Sequence, residues 1–171
     1  MPSDNDPIKH ATTAALRYLG AAYAASGQDQ EAAGAWQLAI ADPAATRAWH
    51  LAQADALVRI GDRRSAAEVL RALLAQAPGE SDVLVRLIEV QLADGRTDEA
   101  VPLVGQLVAA SPDDVDARWW QVVLAFADAV DPDRPAAVER FVTLADRYLE
   151  RNGPRAELVR AWVRAVRRES R

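Results

Sequence analysis

Glycines 27, 61 and 95 stand 34 residues apart, and three further residue classes keep the same step: Ala32, Ala66 and Ala100; Trp36, Leu70 and Val104; Ala39, Leu73 and Leu107. Pro78 and Pro112 share the spacing, and Pro43 falls one residue early, as a length change in a surface turn produces. Each class has a physical reason to recur. A glycine after an apolar-periodic segment supplies the left-handed backbone that ends a helix and reverses the chain. The alanine five residues later lets two helices approach closely, and the bulky residue four positions on fills the space beside it. A proline cannot continue the helix and opens the next turn. The repeating unit is therefore helix, tight turn, helix, turn, and stacking of such units buries a continuous core.

The first repeat reads Leu19-Gly20-Ala21-Ala22-Tyr23 with Gly27, Ala32, Trp36 and Ala39. In this order of residues the chain resembles the tetratricopeptide-repeat family over roughly residues 12–152. The resemblance implies an all-α, right-handed helical-hairpin solenoid of about nine helices. The expected divisions are a flexible start at 1–8, four hairpins at 9–43, 44–79, 80–112 and 113–153, and a C-terminal capping helix at 154–171. The second and third repeats depart in their first helices, where Gln53-Ala54 and Leu87-Ile88 replace leucine-glycine, and Leu57 and Gln91 replace the tyrosine. In the fourth unit a stretch from Asp128 to Pro135, with two prolines and three aspartates, predicts a loop in place of the glycine turn. Ala137, Phe141 and Leu144 then resume the small, aromatic and apolar slots. After Asn152-Gly153-Pro154, the segment from Arg155 to Arg168 sets Leu158, Trp162 and Val166 on one face, an amphipathic helix suited to cover a last apolar face.

Composition removes several function classes. The chain has no cysteine, which excludes thiolate metal sites and disulfides. Residues 1–150 carry 13 Lys or Arg against 23 Asp or Glu, whereas 151–171 carry 7 against 2. An acidic body with a short basic end is not a nucleic-acid surface. Charge-free runs such as Ala32 to Ala41 are far below a membrane span, and the start shows no signal-peptide pattern, so a cytoplasmic location is expected. Lys9 is the sole lysine, and this replacement by arginine in an alanine-rich chain suggests a high-GC bacterial gene. His10 and His50 lack metal-ligand spacing, and no glycine is followed by Lys-Ser or Lys-Thr. Asp113, Asp114 and Asp116, like Asp131 and Asp133, read as helix caps rather than calcium loops. No metal, cofactor or catalysis is expected.

In stacked repeats of this family the first helix of each hairpin lines a concave groove, and the resemblance puts Arg17, Ala21 and Ala24 there from the first repeat. Leu51, Asp55 and Val58 follow from the second, Val85, Glu89 and Leu92 from the third, and Trp119, Val123 and Phe126 from the fourth, with Arg59 and Arg86 at the margins. The clamp by which some family members hold acidic carboxyl tails is not reproduced: Ala21, Ala52 and Asp82 depart from it, and only Arg17 and Arg86 fit. The expected role is a non-catalytic module that binds an apolar or mildly basic protein or peptide, with Trp119 as an anchor and Asp55 and Glu89 as charge partners. Trp119 and Trp120 point about 100° apart, so one of them belongs to the core. Trp36 and Trp162 fall on buried stripes, and Trp49 sits at an inter-repeat turn. The alternative is a homo-oligomeric scaffold unit or the C-terminal repeat tail of a larger bacterial protein.

Overall fold

The computed structural model describes residues 7–130 and 135–169, and every element among them is a helix. The chain is an all-α hairpin solenoid whose described residues fall into two compact units, divided between Arg96 and Thr97. The first unit holds α1 (Pro7–Ala25), α2 (Asp29–Ala39), α3 (Arg47–Arg59), α4 (Arg63–Gln76) and α5 (Ser81–Ala93). The second holds α6 (Thr97–Ala110), α7 (Val115–Ala129), α8 (Pro135–Glu150) and α9 (Ala156–Glu169). Residues 1–6 of the expected flexible start lie outside the described residues, and α1 already begins at Pro7.

The 34-residue glycines all take positive φ, 76° at Gly27, 83° at Gly61 and 74° at Gly95, the conformation for which the turn selects glycine. Within the first unit each helix packs on the next: α1 on α2, α2 on α3, α3 on α4 and α4 on α5. The recurring small and bulky positions form its core, with Ala32, Trp36, Ala39, Ala66, Leu70 and Leu73 all buried. Gly20 is small for a visible reason, since a Cβ there would lie 2.7 Å from Cε2 of the Trp36 ring. Asp62 caps α4, its side chain accepting from the Ser65 amide at 3.1 Å. That hydrogen bond, reinforced by the Ser65 hydroxyl and by Arg64, holds the Asp62 carboxyl below its ordinary range.

In the second unit Ala100, Val104 and Leu107 of α6 are buried, as are Ala137 and Phe141 of α8. Helix α7 continues through Asp128 to Ala129, so the expected loop is shorter at its start, and residues 131–134, which include Asp131 and Asp133, lie outside the described residues. Asp114 caps α7 by accepting from the Asp116 amide at 2.8 Å. Asp113 and Asp116 pair with Arg151 and Arg155. The capping helix α9 packs on α8 and α7, but its buried stripe is Val159, Val163 and Val166. Leu158, expected in that stripe, is 45% exposed. The buried face is centred on the i, i+4, i+7 valines, which puts Trp162 at one edge and Leu158 beyond it.

Candidate functional site

Two successive first helices of the first unit, α3 and α5, are tied by ion pairs that cross between them. Asp55 accepts from the Arg86 guanidinium, and Arg47 reaches both Asp82 and, at 3.1 Å, Glu80 ahead of α5. Arg59 instead turns back to Asp29 at the start of α2. Asp55 and Arg86 sit on the rim of a recess of about 180 Å³ whose apolar walls are Val58, Leu70 and Val90. Arg63 and Glu89 complete its polar rim. Asp55 is thereby neutralised by its neighbour, while exposed Glu89 has no ion-pair partner among the described residues. The opening presents an apolar pit flanked by one carboxylate, Glu89, and one guanidinium, Arg63.

The remaining first-unit positions surround this recess less closely. Arg17 is half-buried on α1, its guanidinium carbon 4.6 Å from the Tyr18 ring centre and 5.9 Å from that of Trp49 on α3. These are cation–π distances. Ala21 is exposed, and Leu51 and Val85 are half-buried. Half-buried Trp49 thus serves as a surface for Arg17 rather than as core. His50 places Nδ1 3.1 Å from the Thr46 carbonyl oxygen, a local contact at the head of α3. The side chain of His10 lies outside the described residues. No group of three or more His, Asp or Glu gathers as a metal set among the described residues. Nor is any helix among them long and apolar enough to cross a membrane.

The fourth-repeat positions are in a different state. Trp119 is 8% exposed and Trp162 of α9 stacks on it, ring centres 5.3 Å apart and planes 22° apart. The same Trp162 ring stacks on Phe126 at 4.3 Å and 6°. Trp119 and Phe126, seven residues apart on one face of α7, form a slot that α9 fills from within the chain. Tyr148 tilts against Trp119 at 6.0 Å, Phe141 against Phe126 at 5.5 Å, and the Arg155 guanidinium lies 4.8 Å from the Trp119 ring centre. Val123 packs against the same core. Trp119 is therefore the core member of the tryptophan pair, and it is not open to an incoming ligand. Its placement as an anchor misses because the repeat register counts hairpins, whereas α9 follows the last hairpin and lays its own aromatic over that helix.

The walls contributed by Leu70 and the rim position Arg63 also lie beyond the register argument, which treats second-helix residues as packing alone. The available signal was the step from Asp62-Arg63 directly into α4, which sets a cation at the hairpin tip beside the end of α3.

The family model described as tetratricopeptide repeat matches residues 57–126. Among solved structures, a tetratricopeptide repeat protein from Parabacteroides merdae ATCC 43184 aligns with a TM-score of 0.76 at 17% identity, over 93% of this chain and 62% of that one. The chain thus spans about three fifths of that protein's length. The MamA MSR-1 C2 structure aligns with a TM-score of 0.58 at 18% identity, covering 92% of this chain and 95% of the other. Another MamA structure aligns with a TM-score of 0.62 at 14% identity, over 92% and 91%. At these identities the likeness is one of fold. A comparison with the curated proteins finds no match. The 34-residue period, the left-handed turn glycines and the family-model match over residues 57–126 agree, and together they make the chain similar to the tetratricopeptide-repeat family in fold.

Proposed function

We propose that this chain is a non-catalytic interaction module that holds a peptide segment of a partner protein on the α3–α5 face of its first unit. The observation that carries the reading is the recess walled by Val58, Leu70 and Val90 and rimmed by Asp55, Arg86, Arg63 and Glu89. Its volume suits one apolar side chain, and the paired Asp55 and Arg86 hold its mouth in shape. A basic group on the ligand next to that side chain would meet Glu89. The expected ligand is accordingly an apolar residue flanked by lysine or arginine, which fits the acidic balance of the chain's body. Recognition of this kind rests on a few side chains seated in pockets, with the surrounding contacts excluding water.

Selection from a displayed random-peptide library tests this. Wild-type protein should enrich peptides with an apolar residue next to a basic one. Glu89→Lys should disfavour the basic residue, and Val58→Asp should abolish enrichment. Enrichment unchanged in both variants would place binding elsewhere on the molecule.

A further inference from the structure

The register of the repeat identifies a second surface, separate from the recess. Three positions of the first helix recur as Ala15, Leu19 and Ala22 in α1, as Trp49, Gln53 and Ala56 in α3, and as Val83, Leu87 and Val90 in α5. In α5 all three are buried, and in α3 Gln53 and Ala56 are buried and Trp49 half-buried. Both helices pack against the second helix of the hairpin before them. In α1 the same positions remain apolar but are exposed, with Leu19 at 46% and neighbouring Tyr18 at 66%. The pattern is that of a stacking face, and no helix of this chain covers it among the described residues. Beside it Leu38 of α2 is 63% exposed above an apolar depression that also touches Leu16 and Pro43. Helix α9, the last in chain order, instead leaves its arginines exposed as a polar face.

We infer that this face of α1 pairs with the α1 of a second copy of the chain, the two helices related by a two-fold axis. Ala15, Tyr18, Ala22 and Ala25 are all exposed and are spaced three, four and three residues apart, the seam along which two helices interlock. The alanines permit close approach, and Tyr18 and Leu19 supply the apolar area. Charge favours the same occupant. The chain carries a net −5, so two copies repel across most surfaces, yet Thr12, Ala15, Tyr18, Leu19, Ala22 and Ala25 bring no ionic group to the seam. The nearest cation, Arg17, lies over the Tyr18 ring and toward Trp49. A two-fold contact sets each patch against itself, which suits a neutral face and not a charged one.

Sedimentation equilibrium of the full chain over a range of concentrations tests the pairing. Wild type should move from the 18.5 kDa chain mass to twice that value as concentration rises. Leu19→Glu and Leu19→Lys, both at an exposed position, should keep their helical circular dichroism and each weaken self-association by about tenfold or more. An equal mixture of the two variants should regain it, because the symmetric contact brings the introduced charges near one another. Wild type that stays at single-chain mass throughout, variants that pair as well as wild type, or a mixture that fails to recover would each overturn the proposal. The recess substitutions Glu89→Lys and Val58→Asp should leave the mass unchanged, so this reading and peptide binding fail independently.

Discussion

A glycine on a helix has opposite meanings at two places in this chain. At Gly20 the Trp36 ring fills the space a methyl would need, so Gly20→Ala should destabilise the protein by about 2 kcal/mol through overpacking. At Gly34, on exposed α2 surface with nothing within 4 Å of an added Cβ, Gly34→Ala should stabilise it by about 0.5 to 1 kcal/mol. Urea unfolding of the two variants separates them by sign. Asp62 gives a second residue-scale prediction. Its carboxyl is held below its usual range in the folded chain by the Ser65 amide, so its stabilising effect is complete above that usual range. The effect is lost as pH falls through the lowered folded value. Asp62→Ala should cost about 1 kcal/mol at neutral pH, and the gap to wild type should narrow as the solution is acidified below the usual carboxylate range. A gap that stays constant with pH would remove the ionised cap from the account.

At the scale of helices, α9 does more than end the chain's repeat array. By stacking Trp162 on both Trp119 and Phe126 it turns two residues that would face a ligand into core. Trp119→Ala should therefore cost about 3 kcal/mol of stability, in the range for a buried aromatic, whereas Glu89→Lys at the exposed recess rim should stay within about 0.5 kcal/mol of wild type. Thermal unfolding distinguishes the two, and comparable losses would contradict the assignment of Trp119 to the core. The helices themselves were legible from the sequence, because glycine, alanine, bulky residue and proline recur at one period and each has a single packing role. The face of α9 was less so. Leu158, Trp162 and Val166 form one plausible stripe and Val159, Val163 and Val166 another, and which one is buried depends on the surface α7 and α8 present, which helical spacing alone does not encode.

For the whole molecule, periodicity carries the fold because a repeat contacts only its neighbours, so 34 residues of pattern describe most of the packing. Function is less legible, since it depends on departures from the repeat. Asp55 and Glu89 occupy equivalent positions, yet one is paired to Arg86 and the other is left on the rim, a difference set by a single arginine three residues before Glu89. The recess also draws Arg63 and Leu70 from a second helix. The central claim is that a ligand binds at this α3–α5 recess and not at the aromatic cluster of α7. Nuclear magnetic resonance titration with a library-selected peptide tests it most directly, by following backbone amides of α3 and α5 alongside the indole N–H signals of the tryptophans. The account predicts shifts centred on Asp55, Val58, Arg86 and Glu89, with the Trp119 and Trp162 indoles unmoved. Shifts centred on Trp119, Phe126 and Trp162, with α3 and α5 quiet, would contradict it.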